Sequence, residues 1–177
     1  MVFSNNLLMG AAGQGGGYEI DQSIRFNQAD SARLTRTPAS AGNRKTFTFS
    51  CWLKRGKLST IAARIFTGYQ DVNNQFEVYF NASDKLIVAQ RMGGTWYEKT
   101  TDAVYRDPSA WYHFVWYWDT TDGTAGDRTR AYINGERVNF ASGSNPSLNA
   151  DGMVNATIQH EIAGEQAGST YYYDGYL

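Results

Sequence analysis

Several groups of residues in this 177-residue chain have types and spacings that could do chemistry. The segment Glu19-Ile20-Asp21-Gln22-Ser23-Ile24 carries two carboxylates at alternate positions, so an extended strand would point both to one side. Retaining glycoside hydrolysis needs two carboxyl groups about 5–5.5 Å apart, one as nucleophile and one as acid. A further carboxylate two or three positions along the strand would have to act as acid/base, and those positions hold Ser23 and Ile24. The acid/base partner is therefore missing, and the pair sits beside a glycine run rather than in a central strand. His113 and His160 are the only histidines, and no Gly-x-Ser-x-Gly elbow accompanies them. The sequence predicts no catalytic residues and no enzyme.

Asp119, Asp122 and Asp127 crowd one loop with Thr120, Thr121 and Gly123. Hard cations take several oxygen ligands, so this loop is a candidate calcium site, the one cofactor the chain suggests. The spacing is not that of an EF-hand, and Asx-turn hydrogen bonding accounts for the same residues. The aromatic side chains form a further group. Trp96, Tyr97, Trp116, Trp118 and Tyr172 are candidate ligand-binding rings, because the chain holds more of them than one core uses. Within 111–119, Trp111, His113, Val115 and Tyr117 share one face, and Tyr112, Phe114, Trp116 and Trp118 share the other. Such a strand is buried on both faces or exposes rings to a saccharide or a protein neighbour. No polar ligand cluster accompanies the rings, which favours a protein contact.

The elements that must position these residues are strands. Aromatics make up 15% of the chain, with 18 Gly and only 3 Pro. Strand signals recur every eight to twelve residues from Tyr18 onward, the spacing of a sandwich. The expected strands are 23–26, 32–36, 46–55, 63–69, 75–80, 85–91, 96–101, 111–119, 128–133, 157–163 and 171–177, with 139–152 as a loop. In 75–80, Phe76, Val78 and Phe80 alternate with Glu77 and Tyr79. Asn134-Gly135 supplies the two positive-φ residues of a type I′ hairpin pairing Ala131 with Val138 and Tyr132 with Arg137. No segment carries a sustained helical period.

Formal net charge is -1 with no long basic block, which argues against a nucleic-acid partner; Lys54, Arg55 and Lys57 read as a solvated strand end. No stretch reaches the ~20 apolar residues of a membrane span, and MVFSNNLLMG lacks the basic start of a signal peptide. The single cysteine, Cys51, alternates with Phe47, Phe49 and Leu53, so it reads as a buried small hydrophobe that suits assembly in a reducing cytoplasm. Residues 1–17 stand apart from 18–177. Val2, Phe3, Leu7, Leu8 and Met9 form an apolar cluster ahead of a Gly-rich run, and read as an anchor arm with a hinge. Marginal docking of one arm implies a homo-oligomer whose arms act together. At the other end, Tyr171–Leu177 reads as a strand cut short within a longer polypeptide or as a short edge strand.

The order of motifs carries a resemblance. Trp111–Val138 (WYHFVWYWDTTDGTAGDRTRAYINGERV), Phe47–Lys54 (FTFSCWLK) before it and Tyr173–Leu177 (YDGYL) after it resemble the laminin-G-like and concanavalin-A-like jelly-roll domains. The resemblance is nearest to copies in virion proteins of marine bacteriophages and covers roughly residues 20–177. It implies an all-β jelly-roll sandwich preceded by the Gly-rich arm. It implies a virion structural protein of tail-fibre or head-fibre type, assembled in the host cytoplasm and released by lysis. The expected partners are other virion proteins, copies of itself as a trimer, and host surface polysaccharide. A carbohydrate-active enzyme or its sugar-binding module is the alternative, and a capsid-stabilising decoration protein a further one. The carboxylate pattern discussed above is that of laminarinase-type jelly rolls, and its missing member weighs against the enzyme.

Overall fold

The computed structural model describes residues 22–60, 62–165 and 171–177. Among the described residues, thirteen strands run in chain order: β1 (Arg25–Phe26), β2 (Leu34–Arg36), β3 (Thr46–Arg55), β4 (Ala62–Asp71), β5 (Asn74–Asn81), β6 (Lys85–Met92), β7 (Thr95–Val104), β8 (Tyr112–Asp119), β9 (Thr129–Ile133), β10 (Glu136–Arg137), β11 (Phe140–Gly143), β12 (Gln159–Ile162) and β13 (Gly175–Tyr176). Among the described residues the only helical pieces are two 3-10 turns, at Gln28–Asp30 and Ala125–Asp127. The strands form a six-stranded sheet, β1-β13-β3-β8-β9-β10, and a seven-stranded sheet, β11-β7-β6-β5-β4-β12-β2, with every pairing antiparallel. This is the all-β jelly-roll sandwich the sequence predicts.

Alternation decides what each sheet buries. From the six-stranded sheet, Leu53, Phe114, Trp116, Trp118 and Ala131 point inward; Ile65, Phe76, Val78, Phe80, Leu86 and Val88 meet them from the other sheet. Phe49 of β3 stacks on Phe66 of β4 across the interior, centroids 4.3 Å apart. Phe47, Phe49 and Cys51 are half-buried against this core, Leu53 is fully buried, and Thr48 and Ser50 face solvent. Burial pushes the Cys51 thiol up to about 12, so it packs as a hydrophobe and is not poised as a nucleophile.

The expected hairpin forms in the expected register. Asn134 and Gly135 have φ of 52° and 83°, Arg137 pairs with Tyr132, and the Val138 N–H donates to the Ala131 carbonyl at 2.9 Å.

Two expectations are corrected. The segment 139–152 is not all loop: Phe140–Gly143 forms the edge strand β11 against β7, with a register shift between Phe140 and Ser142. Its FASG sequence has one large side chain, too few for an alternating pattern, and the neighbouring strand supplies the order. Nor is Arg55 part of a solvated strand end. Arg55 is 1% exposed and pairs with the equally buried Asp84 at 2.9 Å. Arg55 alternates with Leu53 and so points inward at the end of β3.

Gly135→Val should destabilise the protein by more than ~1 kcal/mol, since a β-branched residue tolerates positive φ poorly; an unchanged urea midpoint would contradict the turn geometry. Asp84→Asn should cost about 3–5 kcal/mol by leaving the buried Arg55 cation unpaired. Burial alone would raise the Asp84 pKa. Hydrogen bonds from the Ser59 backbone, Arg106, Arg55 and the Ser59 hydroxyl outweigh it and hold the group at about 2. The folded pKa lies below the unfolded value, so this contribution is fully present above about pH 4 and lost as pH falls towards about 2. Thermal melts of wild type and Asp84→Asn should therefore converge in that acid window.

Candidate functional site

The structure does not bring the five candidate rings together. Trp116 and Trp118 are 0% and 1% exposed in the core and offer no face to a ligand, which corrects their assignment as binding residues. The reason is alternation: they share a side with Phe114, and that side faces the other sheet. Trp96 and Tyr97 are consecutive on β7 and point to opposite faces. Tyr97 packs on the core, while the Arg91 guanidinium lies over Trp96, 5.6 Å from its centroid. Tyr172 sits elsewhere, with Arg33 over its ring and donating to its hydroxyl at 3.2 Å.

The aspartate loop is organised by arginines. Asp119 accepts from the Thr121 hydroxyl (2.6 Å) and backbone (2.9 Å) and from the Tyr117 hydroxyl (3.0 Å), and the Thr121 hydroxyl bond leads in holding its pKa below the ordinary carboxylate range. Asp122 pairs with Arg130 at 3.0 Å. Asp127 pairs with Arg137 at 2.7 Å and Arg130 at 3.2 Å; the Arg137 bond does most to lower its pKa. Among the described residues, no group of three or more His, Cys, Asp or Glu side chains could hold a metal ion. Glu19, Asp21 and the arm residues Val2, Phe3, Leu7, Leu8 and Met9 lie outside the described residues.

The histidines have structural partners. His160 Nδ1 lies 2.9 Å from the Ile158 carbonyl and Nε2 accepts from the Asn155 N–H, while burial lowers its pKa; the ring therefore sits as a neutral tautomer. His113 Nε2 lies 2.9 Å from the Ser50 hydroxyl.

Sequence reasoning missed an acidic cluster on the outward face of the seven-stranded sheet. Glu161 pairs across β12–β4 with Thr67, Thr67 with Glu77, Glu77 with Ala89, and Ala89 with Glu98, which puts the three glutamates in one cross-strand row. Arg64 forms ion pairs with Glu77 and Glu165, and Arg33 reaches Glu161 at 3.4 Å. Arg64 also lies over Tyr79, 4.3 Å from its centroid. Each partner is far away in sequence, so no local spacing announces the cluster.

Among the described residues, the most exposed rings are on the outward face of the six-stranded sheet. Trp52, Trp111 and Tyr176 are 42%, 39% and 38% exposed. Trp52 stacks on His113, its cross-strand partner, at 5.0 Å. Trp111, just ahead of β8, lies 6.2 Å from Tyr176. Tyr176 pairs with Lys54 on one side and Arg25 on the other, and the Arg25 guanidinium lies 5.3 Å from the Tyr176 centroid. Asn134 of the hairpin turn holds this row: its side chain accepts from the His113 N–H at 2.8 Å, and its own N–H donates to the His113 carbonyl at 2.9 Å. The result is an open stripe of rings with Ser50, Lys54 and Arg25 at its borders. A flat ring face packs against the apolar face of a sugar while nearby hydroxyl and cationic groups take its oxygens. The signal was in the sequence: Trp52 occupies the Thr48/Ser50 face of its strand, and Trp111 shares a face with His113.

Comparison with known proteins agrees with this architecture. No curated protein sequence matches the chain. Among solved structures it is similar to domains LG4-5 of the mouse laminin alpha1 chain (TM-score 0.62, 10% identity, covering 90% of this chain and 40% of that one). It is also similar to the heptameric SAP-like pentraxin of Limulus polyphemus (0.56, 17%, 81% and 65%). A third is the CBM40 of the Ruminococcus gnavus IT-sialidase, solved bound to alpha2,3 sialyllactose (0.56, 11%, 83% and 88%). The chain spans less than two thirds of the laminin and pentraxin chains, and at these identities the likeness is one of fold. Residues 26–177 match a family defined by its lectin and glucanase members, and on that match the chain belongs to the concanavalin A-like lectin/glucanases superfamily.

Proposed function

We propose that this domain is a non-catalytic carbohydrate-binding module that holds saccharide against the outward face of its six-stranded sheet. The observation that carries the reading is the stripe of exposed rings, Trp52, Trp111 and Tyr176, bordered by Arg25, Lys54 and Ser50. Large rings left in water on a rigid sheet cost hydration free energy that a stacked partner recovers, which marks such a face for contact. The fold supports the same reading, since a similar structure, the sialidase CBM40, is solved with a bound sialylated sugar. Each ring meets a chain end-on or flat without needing a pocket, so the face suits an extended polysaccharide more than a single buried sugar.

The finer reading places the module on a bacteriophage particle, displayed as a fibre-type virion protein that recognises host surface polysaccharide. Its support is the order of sequence motifs together with the apolar cluster of residues 2–9. Three buried side chains of that cluster would contribute roughly 1.5–3 kcal/mol each, before an ordering cost of about 1–2 kcal/mol per residue. One arm would then bind marginally and several together firmly.

Affinity electrophoresis through gels containing bacterial surface polysaccharides tests the module. Wild type should be retarded in at least one gel. Trp52→Ala and Trp111→Ala should each weaken retention about tenfold, the equivalent of ~1.4 kcal/mol. Being surface substitutions, they should leave stability within about 0.5 kcal/mol of wild type. Migration of both variants with the wild type in every gel would dismiss the aromatic face as the binding site. The virion reading has its own test. Protein lacking residues 1–17 should fold normally and fail to join particles, and normal incorporation would refute the anchor.

A further inference from the structure

We infer that the rim pocket around Lys99 is a separate subsite for a small oxyanion, the carboxylate or sulfate of an acidic saccharide. The inference rests on the saccharide reading for its ligand class, but on different residues. Lys99 lies on β7 and points toward the six-stranded sheet, with only 8% of its surface exposed. Its Nζ donates to the Thr129 carbonyl at 3.3 Å and the Gly126 carbonyl at 3.5 Å, both longer than ordinary hydrogen bonds. The Phe140 ring lies 5.1 Å away. An ammonium carries a full charge and three donors, and lysines are seldom this buried without a counter-ion. The nearest candidate is Asp127, and its carboxylate is already bonded to Arg130 and Arg137.

The space beside the ammonium is built. A cavity of about 270 Å³ opens there, lined by Lys99, Gly126, Phe140, Ser142, Gly143 and Asn145. Asn145 lines this cavity from an exposed position and carries an amide donor that an oxyanion accepts from. Gly143 lets β11 close on β7 at this rim. Its φ is +148°, and a Cβ there would sit 2.3 Å from the Glu98 carbonyl. Any other residue at 143 would push β11 off β7. Burial, and after it the Arg137 charge, lower the Lys99 pKa against the pull of Asp127.

The test uses the intact protein at constant ionic strength, with sodium glucuronate, N-acetylglucosamine 6-sulfate and neutral glucose as probes. Binding is followed through the lysine Cε–Hε NMR resonances and by thermal shift. Glucuronate, the sulfated sugar, or both should move the Lys99 resonance saturably, and glucose should not. A response to glucuronate alone assigns a carboxylate, one to the sulfated sugar alone assigns a sulfate, and one to both assigns a general oxyanion site. Lys99→Met should weaken the interaction at least tenfold. Asn145→Ala, at an exposed position, should weaken it several-fold and serves if the lysine variant does not fold. An unmoved Lys99 resonance in wild type, or undiminished binding by both variants, would overturn the inference. Trp52→Ala should retain the anion response, so loss of the aromatic site and loss of this one are read separately.

Discussion

The buried ion pair between Arg55 and Asp84 is the constraint on which one end of the sandwich depends. Arg55 ends β3 in one sheet; Asp84 ends the turn between β5 and β6 in the other. Both side chains are fully buried. The guanidinium also donates to the carbonyls of Tyr105 and Lys57 and lies 4.3 Å from the Phe80 centroid. The carboxylate accepts from Arg106 and from the backbone and hydroxyl of Ser59. A buried charge is tolerable only when it is paired and hydrogen-bonded in this way, and breaking one partner strands the rest. Asp84 itself sits at φ 60°, a conformation the turn keeps because the four bonds to its carboxylate over-determine it.

That same strand end carries the exposed rings. Arg55 points inward, and its neighbour Lys54 points outward beside its cross-strand partner Tyr176. Gly175 pairs with Arg55 at φ +153°, where a Cβ would lie 2.1 Å from the Lys54 carbonyl. Only glycine lets β13 approach so closely, and that approach brings Tyr176 to Trp111. The inward charge therefore fixes the backbone on which the outward aromatic stripe is displayed. A stripe held this way gives up little conformational entropy on binding, since its rings are pre-ordered by the sheet.

Much of the fold was legible in the sequence because its strongest signals are local. The ten residues of β3 appear with the expected bounds, and the Asn134-Gly135 turn fixed the β9–β10 register. Strands such as β11 were invisible because a partner, not a pattern, makes them. The candidate site was half legible. Alternation correctly separated the two faces of 111–119, yet nothing local says which face meets the other sheet. Trp116 and Trp118 therefore stand among the candidate ligand rings, while the outward Trp52 and Trp111 do not. The acidic cluster around Arg64 and the Arg55–Asp84 pair join residues distant in sequence, so a one-dimensional reading has no handle on either.

Inward-facing polar side chains show how function differs from structure in this sandwich. Arg55 has Asp84. The Gln90 side-chain oxygen accepts from the Met153 and Val154 N–H groups and so seats the loop before β12. Thr101 accepts from the Leu86 N–H at 3.1 Å and donates to the Ala103 carbonyl at 2.9 Å, matching β7 to β6 at its bulge. Each of these residues completes hydrogen bonds that the fold itself requires. Lys99 has the same orientation and a similar burial, yet its hydrogen bonds are long, the carboxylate that acts on it, Asp127, is shared with Arg130 and Arg137, and it borders open space. The sheets need no charge there, and an anion entering the open rim would give the ammonium the partner that its long carbonyl contacts do not.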